Sequence, residues 1–298
     1  TNKGLPETRN SGVQRARGEF VIHVDSDDFW RDQTMLEQLY ELAEVRQSDV
    51  IKFTGHTYID GQLGSSLSHV VPVQNTVLED EKSLWNFRST FLYFCRRSVI
   101  LKNRIEFDSN INIGEDQIYV AKILSSAKRI STIDLPFYAY RVNSQSMMRK
   151  KWGAHQFAEE VSHSEAVGRT LQHMPLIHSH YMATKLRYWW RSIFPRAFED
   201  LDKVDRLNFF SLAIDFHAKH ILACELEWQD LNKKAHSFSA MLSKSDPLEI
   251  ENNFREKINA KFSPFCGTNL TKWPTATLNQ YWPERPSREI RGTVIVHS

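Results

Sequence analysis

The stretch Gly18-Glu19-Phe20-Val21-Ile22-His23-Val24-Asp25-Ser26-Asp27-Asp28 decides the fold, because an apolar run stops abruptly in three carboxylates. Phe20 to Val24 has the short, nearly continuous hydrophobicity of a strand covered on both faces. Such a strand belongs to an α/β sheet, which presents its ligand site beyond the carboxyl ends of its parallel strands. If the chain stays extended past Val24, Asp25 and Asp27 point to one side and can share a hard divalent cation through oxygen ligands. The same residues also suit a solvated Asp/Ser turn, so the flanking sequence has to decide.

Before the strand comes Gly4-Leu5-Pro6-Glu7-Thr8-Arg9-Asn10-Ser11-Gly12; after it come Asn112-Ile113-Gly114-Glu115-Asp116-Gln117 and Tyr138-Ala139-Tyr140-Arg141-Val142-Asn143-Ser144-Gln145-Ser146. Taken in order, these segments resemble the family 2 glycosyltransferases of the GT-A fold. Members of that family carry a G-x-x-x-x-R-N-x-G helix, a strand ending in D-x-D-D, a later G-E-D and a Y-x-Y-R-x-x-x-x-S tail. An ordered set is far more specific than any one of its members. The resemblance covers residues 1–150 and implies an α/β fold of GT-A type, a partial mixed sheet with flanking helices, followed by a mainly α-helical region. Family members begin with further strands that carry most nucleotide contacts. None precedes Thr1, so the expectation is a domain lacking its first strands, with weak nucleotide binding.

The length of 298 residues exceeds one usual core and suggests a GT-A domain at 1–150, a helical region at 151–272, and a linker at 273–298 leading to a possible further domain. A formal charge of +2 gives no reason to expect nucleic acid. Cys95, Cys224 and Cys266 lie far apart without metal-ligand spacing, which fits a reducing compartment rather than a disulfide framework. The sequon Asn269-Leu270-Thr271 is read as chance. No apolar stretch is long enough to span a bilayer.

Along the chain, residues 5–17 read as a helix with Pro6 in its first turn and Gly18 in the left-handed position after its end. Residues 34–46 read as a second helix, and residues 49–58 as a strand turned at Asp60-Gly61. Residues 62–81 show little periodicity and read as a loop; Phe91 to Phe94 is again strand-like. Met182, Leu186, Trp189, Trp190, Ile193, Phe194 and Ala197 follow helical spacing, with Lys185, Arg187, Arg191 and Arg196 mostly elsewhere on the wheel. That pattern suits a helix packed on a neighbour, with a peripheral membrane contact as the alternative; Pro195 is expected to kink it. His178-x-His180 and His217-x-x-His220 lack carboxylate or thiolate companions and read as structural histidines. The apolar run Gly292 to His297 either pairs back onto the chain or, the preferred reading, opens a further domain.

The resemblance assigns the chemistry. Asp27, with Asp25 sharing the ion or holding the ribose, would bind a divalent cation, Mn2+ or Mg2+, that neutralises the leaving diphosphate. Asp28 and Arg9 would contact the nucleotide-sugar donor, expected to be a UDP-sugar. Arg141 would place a positive charge near the departing phosphate, although the histidine many relatives have close by is missing here. Trp30 is either a floor for the sugar or packing. Asp116, with Glu115, stands where a helix begins and is the candidate base for the acceptor hydroxyl, kept ionised by the helix dipole; a simple helix cap is the plain alternative. One base and no evident carboxylate nucleophile imply inversion at the anomeric carbon. The expected activity is inverting glycosyl transfer to a glycan or lipid-linked acceptor in bacterial surface polysaccharide synthesis, in the cytoplasm or at the inner face of the membrane. A sugar nucleotidyltransferase and a non-catalytic glycan-binding module on the same fold are the rival readings.

Overall fold

The computed structural model describes residues 4–87, 89–142, 150–221, 233–243, 246–253 and 292–297. Asn143 to Ser146, Cys224, Cys266, the sequon and the linker expectation over 273–286 lie outside the described residues. Helix α1 spans Leu5–Arg15, with Pro6 in its first turn as its fixed φ allows. It ends sooner than expected: Ala16 turns extended at φ −58, ψ 137, and Gly18 takes no left-handed conformation. Strand β1, Phe20–Asp25, follows, and Phe20 through Val24 are all buried, as the apolar run predicts.

The sheet is completed by β2 (Phe29–Trp30), β3 (Val50–Ile59), β4 (Gln62–Ser66), β5 (Val73–Thr76), β6 (Tyr93–Arg96), β7 (Ile130–Arg141) and β8 (Gly292–His297). Its order is β2-β7-β3-β6-β1-β8, with β4 on β3 and β5 on β7. β1 and β3 both run antiparallel to β6, which lies between them, while β3 and β7 are parallel. Helices α2 (Met35–Arg46), α3 (Arg97–Lys102) and α4 (Glu115–Ser126) flank it.

The turn after β3 forms as read: Asp60 and Gly61 both have positive φ, 47° and 83°, the two-residue geometry whose twist matches a hairpin. Residues 62–81 are not the loop expected, since they contribute β4 and β5. Both strands are mostly exposed and held by backbone pairing, so they leave no apolar period to read. The preferred reading of the terminal run is also corrected. β8 pairs back in parallel with β1, register Phe20↔Gly292 through Asp25↔His297.

Beyond the sheet come α5 (Ala154–Leu171), α6 (Pro175–Tyr188), α7 (Phe194–Asp200), α8 (Lys203–Phe216) and α9 (Lys233–Leu242). A π-helical turn at Trp189–Ile193 joins α6 to α7 without a break, and Pro195 follows it as the second residue of α7. Met182, Leu186, Trp189, Ile193, Phe194 and Ala197 are all buried, so this stripe faces protein. At about 1.5–3 kcal/mol for each large apolar side chain, that burial is ample reason for the helix to dock. The hydrophobic core runs from the sheet into these helices without a break, through ring contacts such as Trp85 with His180 (5.3 Å) and Phe87 with Tyr181 (6.1 Å). His217 bonds Ser239 and His220 bonds Glu165, in keeping with structural roles. No helix among the described residues is long and apolar enough to cross a membrane.

Candidate active site

β1 delivers Asp25 at its last position, and the chain then turns instead of staying extended, with Asp28 N–H donating to the Asp25 carbonyl at 3.1 Å. The shared alignment of Asp25 and Asp27 expected from the strand pleat is therefore replaced by a tight turn. The end of β7 holds that turn. Tyr138 Oη donates to Asp28 Oδ2 at 2.7 Å and accepts from the Asp25 N–H at 3.2 Å. Arg141 donates its backbone N–H to Asp28 Oδ1 at 2.7 Å and its Nε to the Asp27 carbonyl at 2.8 Å, with its guanidinium over Phe29 and Tyr58. Asp28 is thus fastened on both oxygens, and burial first of all pushes its carboxyl up to about 6. Asp27 is the exposed carboxylate of the three, and Asp25 is half-buried. Trp30 is partly buried and packs against the core.

Arg9 lies beneath this turn at 4% exposure. Its Nη2 donates to Asp25 Oδ1 at 2.9 Å and its Nη1 to Glu115 Oε1 at 2.8 Å, while its Cζ sits 5.2 Å from the Phe107 ring. The neighbouring Asn10 exchanges two bonds with the Phe107 backbone, donating from Nδ2 at 2.9 Å and accepting at Oδ1 at 2.8 Å. The R-N pair of α1 therefore fixes the strand-end acid to the start of α4. A planar fork that binds two carboxylates suits Arg and not Lys.

α4 begins after Gly114, whose φ of 77° is left-handed. A Cβ added there would meet His163 ring carbons at 2.6 Å, so glycine is required twice over. Glu115 is buried, and burial, then the charge of Asp116, pushes it up to about 7 against the pull of Arg9. Asp116 is half-buried, accepts from the Gln117 N–H at 2.8 Å and bonds the Ser89 side chain. Its carboxyl is also raised, by burial first, with Arg9 opposing. Desolvation here outweighs the helix dipole that the sequence led us to credit.

The structure brings Arg9, Asp25, Glu115 and Asp116 into one charged cluster, with Asp27, Asp28 and Arg141 on the adjoining turn. Sequence reasoning missed Tyr138 and Ser89 as supports. Tyr138 was legible in the Y-x-Y-R tail, whereas Ser89 carries no local signal.

Residues 1–103 match the sequence profile described as Glycosyl transferase family 2. The chain is 28% identical over 153 residues to the uncharacterized glycosyltransferase EpsJ of Bacillus subtilis, covering 49% of this chain and 44% of that protein. It is 26% identical over 227 residues to the poly(ribitol-phosphate) beta-N-acetylglucosaminyltransferase TarP of Staphylococcus aureus, covering 72% of this chain and 68% of that protein. Crystal structures of S. aureus TarS 1–349 in complex with UDP and with UDP-GlcNAc superpose with TM-scores of 0.65 and 0.61 at 18% and 17% identity. The first covers 90% of this chain and 75% of that one, the second 86% and 73%. The chain spans less than half the length of EpsJ. Over residues 1–103 the chain is similar to the family 2 glycosyltransferases, and its fold is the GT-A fold that TarS has.

Proposed function

We propose that this family 2 domain transfers a sugar from a nucleoside-diphosphate donor to a hydroxyl acceptor with inversion at the anomeric carbon. The observation that carries the reading is the single Arg9 guanidinium holding Asp25, at the donor-side turn, and Glu115, beside the candidate base, at 2.9 and 2.8 Å. It ties the turn we read as the leaving-group site to the start of the helix that carries the proposed proton acceptor, as a single displacement would use them. TarS, which shares the fold, is known in complex with UDP and UDP-GlcNAc, and we take a UDP-sugar as the donor class.

Asp116 removes the proton of the acceptor hydroxyl as its oxygen attacks the anomeric carbon. A carboxyl raised above the ordinary aspartate range accepts that proton more readily, because base strength approaches the working pH. Arg9 keeps Glu115 beside it in place, and Ser89 orients Asp116 through its hydroxyl. Arg141, exposed at the end of β7, both locks the acidic turn and puts a positive charge where the leaving diphosphate departs.

No cluster of three or more metal-ligating side chains occurs among the described residues. The exposed Asp27 and half-buried Asp25 offer only hard oxygen donors, which fit an Mg2+ or Mn2+ that takes its other ligands from diphosphate and water. Bound there, the cation would supply Lewis-acid neutralisation of the diphosphate. We place the acceptor among glycans or lipid-linked glycans, in surface polysaccharide assembly at the cytoplasmic side of a membrane. The test, made on the domain with the first strands that family members carry joined before Thr1, is turnover of UDP-GlcNAc, UDP-glucose and UDP-galactose with Mn2+ and a panel of glycan acceptors, reading the product anomer by NMR. Inverted product is expected; retained configuration would overturn the mechanism.

A further inference from the structure

β6 runs antiparallel to β1, and its ladder stops at Ile22↔Phe94. Carried on at the same register, that ladder would set Phe91 opposite Asp25. The chain instead leaves the sheet in a single 3-10 turn, Thr90–Leu92, with the Leu92 N–H on the Ser89 carbonyl at 3.2 Å. The Asp25 N–H is thereby left without a β6 partner, and a backbone donor at a half-buried strand end needs an acceptor. Tyr138 Oη supplies it at 3.2 Å while donating to Asp28 Oδ2 at 2.7 Å. One hydroxyl thus spends its proton on one end of the acidic turn and a lone pair on the other.

The ring behind that hydroxyl is held in place by apolar neighbours. Phe91, 6% exposed, lies nearly parallel to the Tyr138 ring, with centroids 4.2 Å apart and planes 7° apart, and its centroid is 6.0 Å from that of Tyr140. β3 makes room beside it: Gly55 is the register partner of Tyr138, and a Cβ added there would meet the Tyr138 carbonyl and, at 2.9 Å, its Cβ.

We propose that Phe91 is a positioning residue for the acidic turn and acts through Tyr138. By turning out of the β6 ladder, Phe91 lays its ring on the tyrosine, and the tyrosine hydroxyl then sets the spacing of Asp25 and Asp28. Its use in transfer rests on the reading of that turn as the leaving-group site.

Amide hydrogen exchange of the chain, followed by NMR, reads the turn through the N–H groups of Asp25, Asp28 and Arg141, each of which is bonded within it. Tyr138→Phe keeps the stack and removes only the hydroxyl. Exchange at these three amides should quicken by about tenfold or more, the scale of a lost hydrogen bond to a charged group, while amides of β3 and β6 keep wild-type rates. Phe91→Leu should quicken the same three and Phe91→Tyr should not. In the Tyr138→Phe background Phe91→Leu should add nothing, because it acts through the hydroxyl already removed. If Phe91→Leu does not fold, Phe91→Met takes its place with the same expectations. Wild-type exchange at the turn in Phe91→Leu, an equal further gain in the Tyr138→Phe background, or faster exchange spread through β3 and β6 overturns the inference. In the domain with the first strands joined before Thr1, Tyr138→Phe should also raise the donor KM by about tenfold at unchanged kcat. Loosened turn amides with an unchanged donor KM would instead overturn the reading of the turn as the leaving-group site.

Discussion

Arg9 satisfies two carboxylates with one guanidinium, one 16 and the other 106 residues away in the chain, while 4% exposed. Replacing it by Met leaves the buried Glu115 and the half-buried Asp25 without their shared cation, and a broken buried ion pair costs about 3–5 kcal/mol. Arg9→Met should therefore unfold in urea with that deficit at pH 8; a loss under about 1 kcal/mol would show that the tie is incidental. The pH dependence follows from Glu115, whose carboxyl is raised from 4.5 to about 7 in the folded state. Between those values the folded chain binds more protons than the unfolded one, so this group's contribution to stability falls as pH rises through the window. Wild type should lose stability relative to Glu115→Gln from pH 5 to pH 7, by at most about 1.4 kcal/mol per pH unit. Parallel urea titrations of the two proteins check it, and an opposite slope would mean that Arg9 dominates. Asp27 is the exposed member of the acidic turn. Asp27→Ala should abolish metal-dependent transfer, because one remaining carboxylate holds a hard cation poorly beside a diphosphate; undiminished turnover with added Mn2+ would contradict its role.

The start of α4 is the element on which most of this depends. Gly114→Ala places a methyl against the His163 ring and forces a left-handed φ on alanine. The two penalties together come to about 2–5 kcal/mol. A thermal melt should show the loss, and adding His163→Ala should restore only the packing share, a non-additivity that a double-mutant cycle measures. Gly114, Glu115 and Asp116 were legible as a helix start, since glycine and acids commonly stand before an apolar helical run, and only the family resemblance read them as more than a cap. β1 was legible for a similar reason, its apolar run ending in carboxylates. β4 and β5 were not, since Gly64, Ser65 and Ser66 on an exposed edge carry no period. Lys185 was placed with the basic residues away from the apolar stripe, because helical spacing alone cannot say that a lysine within one turn of Met182 and Leu186 is buried. The Arg9 tie was hidden for a different reason: a nucleotide role and a structural one ask for the same residue type, and only the fold shows which carboxylates are close.

Across the whole molecule, the boundary expected near residue 150 is crossed by one hydrophobic core, from Phe87 against Tyr181 to His163 beneath Gly114. The sheet and α5 to α8 should consequently unfold together, with tryptophan fluorescence and far-UV circular dichroism giving coincident urea transitions; separated transitions would show two folding units. In the proposed mechanism, transfer turns on one proton, the one that Asp116 accepts from the acceptor hydroxyl. The most direct test is Asp116→Asn, assayed for transfer and, by calorimetry with Mn2+, for UDP binding. Loss of a general base predicts a rate lower by about 10²–10⁴-fold with UDP affinity nearly unchanged. Equal losses of rate and affinity, or an undiminished rate, would contradict it and leave Asp116 as a cap on α4.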